Sequence, residues 1–301
     1  MNIRTYSPAD FNAVLNIMVR SHHLDNITEA ILMEKIDGDP AFNRDMTLVA
    51  ETSGIAAGFM QGVLRDVRGE KIAYIKLMGV LPEFRRNGLA RGMYEKLEEL
   101  AVKEGADCMR IYDVVMNYLM PGIDPRYTPA LCFAERMGFS RFTDTSNLHA
   151  RLDRNWNTEA AEKKLENEGI TISRAGEDNR KSLMDFIDTH FNLWRHEVSV
   201  ALANEPASIH VAVQNNIVKA FSAHSANNTG TGWFGPMGTH PDLRGKGVGS
   251  ILLKRCLDDL KKAGHAYAII PWVGPISFYS HFCDAVVERV FWRYEKKLSK
   301  K

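Results

Sequence analysis

Arg244-Gly245-Lys246-Gly247-Val248-Gly249-Ser250 is the stretch that decides how this chain is read. Met237-Gly238-Thr239-His240-Pro241 precedes it, and an apolar run with helical spacing follows. Counting 159 residues back, from Arg244 to Arg85, the same order returns: Met78-Gly79-Val80-Leu81-Pro82, then Arg85-Arg86-Asn87-Gly88-Leu89-Ala90, then a second helix pattern. Without a gap, that offset matches Met78 with Met237, Gly79 with Gly238, Pro82 with Pro241, Arg85 with Arg244, Gly88 with Gly247, Lys103 with Lys262 and Gly105 with Gly264. One register held over that span marks an internal duplication with a period near half the chain, hence two similar domains.

Each copy reads as strand, loop, helix. Leu89, Met93, Leu97 and Ala101 recur every four residues after the first loop, as do Val248, Leu252, Cys256 and Leu260 after the second. The first turn of such a helix has unsatisfied backbone N–H groups and a partial positive charge, and glycines let a ligand approach the backbone closely. The expected guest is an anion. The helix dipole contributes only about 0.3–1 kcal/mol at an exposed site, so convergent N–H donors with flanking Arg and Lys must supply the rest. A diphosphate has enough oxygens to use them all.

Two other glycine-rich loops fit poorly. A P-loop requires G-x-x-x-x-G-K-[ST], which Gly245-Lys246-Gly247 does not supply. A dinucleotide fingerprint counted from Gly245 wants an acidic residue roughly twenty positions on, and Tyr267 and its neighbours are not acidic. What both copies share is [Gln/Arg]-x-x-Gly-x-[Gly/Ala], as Arg85-x-x-Gly88-x-Ala90 and Arg244-x-x-Gly247-x-Gly249. This pattern resembles the acyl-coenzyme-A loop of GNAT-type N-acetyltransferases. The resemblance implies an α/β (α+β) fold of two tandem GNAT-like domains, each a mixed, mostly antiparallel central sheet flanked by helices. It also implies acetyl-coenzyme A as cofactor, held by Met78, Val80, Arg85, Arg86, Asn87, Gly88, Leu89 and Ala90 in one copy. In the other copy the implied residues are Met237, Thr239, Arg244, Gly245, Lys246, Gly247, Val248, Gly249 and Ser250.

Composition agrees and excludes little else. At 301 residues the chain has room for two cores. Lys+Arg 38 against Asp+Glu 37 leaves a net charge of +1, so neither nucleic acid nor an acidic membrane is an expected partner. Cys108, Cys132, Cys256 and Cys283 form no C-x-x-C pair and read as free thiols, and no metal-ligand spacing occurs. The start, Met1-Asn2-Ile3-Arg4, lacks the apolar core of a signal peptide, and no apolar run reaches eighteen residues; the cytoplasm is the expected location.

Along the chain, the first domain is expected over 1–152, with a hairpin turning at Ser53-Gly54, a strand from Lys71 to Val80, another from Cys108 to Val115, and Phe142 to Leu152 as its closing strand. Residues 153–169 read as a charged connecting helix. The second domain is expected over 170–301, repeating the order and closing with Val286 to Leu298. Matching Phe133 to Phe278 changes the offset to 145, so the first copy carries 14 extra residues between Met116 and Pro129. Such an insert reads as functional or as a lid.

Acetyl transfer to an amine requires deprotonation, because a primary amine with a pKa near ~10 is ready in only about one molecule in a thousand at neutral pH. It also requires a proton for the departing thiolate. The resemblance puts that acid on a tyrosine of the helix after the fifth strand, which is Tyr279 in the second copy. The matching residue in the first copy is Ala134, with Tyr127 as a possible substitute. The expected catalytic half is therefore the C-terminal one. His240, His196 and Glu197 are candidate bases. The expected acceptor is the amine of a small molecule or peptide. The alternatives are a non-catalytic coenzyme-A-binding or regulatory module, and transfer of a different acyl or aminoacyl group. Tandem relatives such as mycothiol-synthase-like enzymes, in which one half does the chemistry, resemble this architecture. The sequence gives no sign of oligomeric state.

Overall fold

In the computed structural model, which describes residues 1–298, the first strand β1 (Asn2–Thr5) leads into helices α1 (Phe11–Ser21) and α2 (Glu29–Ile36). The last three residues of the expected C-terminal domain, 299–301, lie outside the described residues. β2 (Thr47–Thr52), β3 (Ile55–Val67) and β4 (Glu70–Val80) follow as an antiparallel meander. Its two hairpins turn at Ser53-Gly54 and Arg68-Gly69, all four residues having positive φ, the turn whose twist matches paired strands. α3 (Leu89–Lys103) crosses to β5 (Cys108–Ile111), which lies parallel to β4. α4 (Thr128–Arg136) and β6 (Ser140–Arg151) complete the first pass.

The second pass repeats the plan: α5 (Glu159–Glu166), β7 (Ile170–Arg174), α6 (Glu177–His190), α7 (Arg195–Ala203), β8 (Ile209–Gln214), β9 (Ile217–His224), β10 (Phe234–Thr239), α8 (Val248–Lys262), β11 (Tyr267–Ile270), α9 (Ile276–Cys283) and β12 (Val286–Lys297). β7, β8, β9 and β10 form an antiparallel sheet in that order. The mixed sheets with flanking helices are the α/β architecture expected. The helical spacing also holds, since Leu89, Met93, Leu97 and Ala101 of α3, and Val248, Leu252, Cys256 and Leu260 of α8, are all buried.

The closing strands do not close the copies that carry them. The second half of β6, Leu148 to Arg151, pairs antiparallel with β11, and Glu295 to Lys297 of β12 pair with Cys108 to Arg110 of β5. Contacts accordingly divide the chain inside these strands. Met1–Thr145 with the chain from Phe291 onward is one compact unit, and Ser146–Val290 is the other. Alternation in a sequence reveals a strand but not its partner, because register is set by residues far away in the chain.

In the N-terminal unit, β3 and β4 slip register between Gln61 and Gly62, which face Leu77 and Ile75, leaving Lys76 as the extra residue of a bulge. Its side chain is wholly buried. Lys76 Nζ donates to the Asp39 carboxylate, to the Lys35 carbonyl at 2.6 Å and to Asn117 Oδ1 at 2.9 Å. Arg65 binds both Asp39 oxygens, at 2.8 and 2.7 Å. Burial pushes the Lys76 ammonium down to about 7 against the pull of Asp39. Burial also opposes ionisation of Asp39, but Lys76 and Arg65 outweigh it and hold that carboxyl below its ordinary value.

The 14-residue surplus is no surface lid. Most of Tyr112 to Asp124 is buried, with the Asn117 amide bonded to the Glu34 and Gly38 carbonyls and Ile123 bridged to Trp292.

The C-terminal unit carries a polar cluster of its own. Asp259 on α8 accepts from His210 Nε2 at 2.7 Å, His224 Nε2 at 3.3 Å and Arg174 at 2.8 Å. Burial works against the Asp259 charge, yet these donors hold its carboxyl far below the usual range. His210 is held below its ordinary value, chiefly by burial. Both groups bind protons more readily when unfolded, so stability falls as pH drops below ~6.5 and again below ~4. Thermal melts of the protein between pH 7 and 2 are expected to show this decline, up to ~1.4 kcal/mol per pH unit for each proton. Asp259→Asn flattens the lower part of that decline; an unchanged slope there would exclude Asp259 as its source.

Candidate functional site

β4 ends at Val80, and the chain then makes a short 3-10 turn, Pro82–Phe84, before the extended Arg85. Arg86 has φ +68°, and Gly88, at φ +81°, is the N-cap of α3. The second copy repeats this almost residue for residue. β10 ends at Thr239, Pro241–Leu243 form the 3-10 turn, Gly245 has φ +77°, and Gly247, at φ +84°, caps α8. Each loop is tied back by its first arginine: Arg85 Nε donates to the Val80 carbonyl at 3.1 Å and Arg244 Nε to the Thr239 carbonyl at 3.4 Å.

These loops leave amides on offer. No side chain caps either helix, and a Cβ at Gly88, Gly245 or Gly247 would meet nothing within 4 Å. Leu89 and Val248 send their side chains into the core, so their N–H groups remain at the helix start. Left-handed residues alternating along such a turn make a concave nest of N–H donors, the geometry that accepts phosphate oxygens.

In the N-terminal unit the loop borders a cleft of about 1260 Å³. The cleft exists because β4 and β5 pair only from Ile72–Cys108 to Ile75–Ile111, with one further bond from Tyr112 N to the Ile75 carbonyl. Beyond it the strands part. Arg85, Arg86, Arg91 and Arg136 stand at the walls, and Phe59, Met60, Met93 and Phe133 line the interior. A cationic rim over an apolar floor suits an anion joined to a narrow, weakly polar arm.

Of the loop residues read from sequence, Met78, Val80, Arg85, Arg86, Gly88, Leu89 and Ala90 all line this cleft. Asn87 does not line it; exposed, its amide donates to the Phe84 carbonyl at 3.4 Å. In the second copy Gly245, Gly247 and Val248 repeat the backbone shape. Lys246 is paired with Glu168 at 3.0 Å, and Ser250 Oγ donates to the Gly247 carbonyl at 2.8 Å. Met237 and Phe278 flank Gly249, where a Cβ would make ordinary contact with both side chains at 3.6 Å.

Tyr279 lies in the first turn of α9, nearly buried, edge-on to Phe234 and Phe278 with ring centroids 6.0 and 5.1 Å away. Burial raises its pKa, and no hydrogen bond of its hydroxyl is found among the described residues. Ala134, its counterpart, is fully buried in α4. Tyr127 does line the N-terminal cleft, but its hydroxyl donates to Asp25 Oδ2 at 2.6 Å and accepts from Leu24 N at 3.0 Å. That proton is committed, so Tyr127 acts as a latch on the α1–α2 connection. His240 accepts from Asp242 N at 3.3 Å on the loop's own 3-10 turn, and His196 and Glu197 belong to α7.

Sequence reading passed over His22, His23 and Tyr112, all of which line the cleft. Tyr112 has φ +65°, a conformation costly for an aromatic residue and invisible in composition.

The family model described as "Acetyltransferase (GNAT) family" matches residues 12–139 and 160–280. The chain belongs to the GNAT acetyltransferase family. It is an enzyme, an N-acetyltransferase, with the tandem form of the GNAT fold. An acetyltransferase of Pectobacterium atrosepticum is 33% identical over 117 residues, covering 76% of that protein and 38% of this chain. A GCN5-related glucosamine N-acetyltransferase region of a fungal multi-domain GH3 beta-N-acetylglucosaminidase superposes with TM-score 0.82 at 18% identity, covering 98% of this chain and 38% of the fungal one. A tandem GNAT protein from the clavulanic acid biosynthesis pathway gives TM-score 0.69 at 14% identity, covering 100% and 99%. Among the described residues no helix is long and apolar enough to cross a membrane.

Proposed function

We propose that this GNAT enzyme transfers the acetyl group of acetyl-coenzyme A to the amine of a small molecule or peptide, and that transfer takes place in the N-terminal cleft. One observation carries the reading: the uncapped helix start from Gly88 to Ala90 borders a cleft that runs on to the gap between β4 and β5. The diphosphate fits those donors with Arg85 and Arg86 at its flank, and the cleft's apolar interior fits the pantetheine arm. When bound, acetyl-coenzyme A supplies an activated acyl carbon. The chain's part is to hold it, exclude water with Phe59, Met60, Met93 and Phe133, and deliver a deprotonated amine.

A second reading places the chemistry in the C-terminal unit, and Tyr279 favours it: a nearly buried hydroxyl with no hydrogen bond among the described residues is available as an acid. Release of free thiol, followed with a panel of amines, separates the two. The fungal neighbour's glucosamine makes amino sugars a first choice for that panel, beside peptides with free N-termini. With transfer in the N-terminal cleft, Tyr279→Phe keeps kcat within about twofold of wild type. Were Tyr279 the acid, kcat would fall by ~100-fold or more, and the site would move to the C-terminal loop.

A further inference from the structure

Where β4 and β5 part, one chain of contacts crosses the gap. His22, just past the end of α1, has Nδ1 3.0 Å from the Met18 carbonyl and Nε2 3.0 Å from the Tyr112 hydroxyl. The same hydroxyl donates to the Met78 carbonyl at 3.1 Å. His22 and Tyr112 are almost fully buried, and both line the cleft. Met78 also lines it, one turn of strand before the diphosphate loop.

The protons in this chain can be counted. A carbonyl only accepts, so Nδ1 carries a hydrogen and points it at Met18. A neutral His22 then has a bare Nε2, and the single Tyr112 proton is demanded twice, by Nε2 and by the Met78 carbonyl. Three contacts share two protons. One more proton, on Nε2, completes them: Nδ1–H to Met18, Nε2–H to Tyr112, and Tyr112 O–H to Met78. An added proton on Nε2 would satisfy all three contacts, and Tyr112 makes its two from a left-handed backbone. Burial and the arginines of the cleft, Arg85, Arg86, Arg91 and Arg136, oppose a charge on His22, and the Asp25 carboxylate works the other way. Asp25 accepts from the hydroxyl of Tyr127, whose ring centroid is 5.8 Å from that of His22 and 5.1 Å from that of His23. Arg20 of α1 is neutralised by Glu83. From β4 the Met78 carbonyl faces the Tyr112 hydroxyl.

We propose that His22, acting through the Tyr112 hydroxyl, takes up the proton that the acceptor amine loses in the N-terminal cleft. The inference rests on the transferase reading above. The ammonium gives one proton to the Tyr112 oxygen as Tyr112 passes its own to His22 Nε2, leaving a neutral amine and an imidazolium. The amine nitrogen then forms the C–N bond as the acyl C–S bond breaks, and its second proton ends on the sulfur. The His22 proton later leaves to solvent, so protons and charge balance over the cycle.

Two measurements test this. Side-chain 15N NMR of the ligand-free protein is expected to show His22 gaining a proton on Nε2 between about pH 5 and 8, with the midpoint moved lower in Tyr112→Phe, where the imidazolium has no oxygen to donate to. His22→Gln is expected to lower kcat/KM about 100-fold at pH 7, to shrink that loss as pH rises towards the amine's own pKa, and to leave acetyl-coenzyme A affinity unchanged by calorimetry. Tyr112→Phe gives the same pH-dependent loss and serves if His22→Gln does not fold. A His22 fixed in one protonation state from pH 5 to 9, or a wild-type pH profile in both variants, overturns the proposal. A wild type that releases no thiol with any amine overturns the transferase reading instead, whatever His22 titrates.

Discussion

Gly88→Trp is expected to abolish binding of acetyl-coenzyme A at the first loop, lowering affinity by ~1000-fold or more, about 4 kcal/mol. The position has φ +81°, and nothing within 4 Å would resist a Cβ, so the indole swings over the open amides instead of into the core. Hydrogen bonds to a charged partner contribute about 1.5–3 kcal/mol each, and covering two of them accounts for the loss. Folding suffers less. A left-handed non-glycine residue costs roughly 1–2 kcal/mol, which a thermal melt separates from the binding defect. Calorimetry on Gly88→Trp and on the matched Gly247→Trp counts the competent sites. If Gly247→Trp alone lost binding, the cofactor would belong to the C-terminal loop and transfer to the neighbourhood of Tyr279.

The second large effect is on stability. Asp39→Asn is expected to destabilise the protein by about 3–5 kcal/mol, because the guanidinium of Arg65 would stay buried with its carboxylate gone and Lys76, held low even beside Asp39, would give up its proton and its ion pair. The Asp39 contribution has a defined pH window: its carboxyl is held low in the folded state, so the stabilisation is complete above ~4 and fades as pH falls further. Urea denaturation at pH 7 reads the effect as a lower midpoint with an unchanged slope. A loss below about 1 kcal/mol would mean that the cluster behaves as an exposed pair does. Since Lys76 is the bulged residue of β4, the same variant is expected to loosen the stretch from Met78 to Val80 and weaken cofactor binding with it.

How much of this was written in the residues depends on how local each feature is. The two loops were legible because Gly88 and Gly247 are needed by φ values that few other residues adopt, and because Arg85 and Arg244 close their own turns within five residues. Helices α3 and α8 were legible from spacing that needs no partner. The fates of β6 and β12 were not, since a strand's alternation is the same whichever edge it joins. The surplus from Met116 to Pro129 looked like a loop because Asn, Pro and Gly favour turns. Yet its polar Asn117 is satisfied inside the fold by Lys76 and by two carbonyls near α2, groups distant in sequence. His22 and Tyr112 escaped notice for a similar reason: 90 residues separate them, and neither carries a motif. Tyr127 was named on sequence grounds as a possible substitute acid, and its hydroxyl donates to Asp25.

The pairing of β5 with the tail of β12 also sets a timetable. Arg110 and Glu295 are 185 residues apart, so the sheet of the first half waits for nearly the whole chain to leave the ribosome before its last strand arrives. Closing so long a loop is entropically late, and it leaves one edge of β5 bare during synthesis. A stop just ahead of Glu295 would therefore injure the half that was translated first.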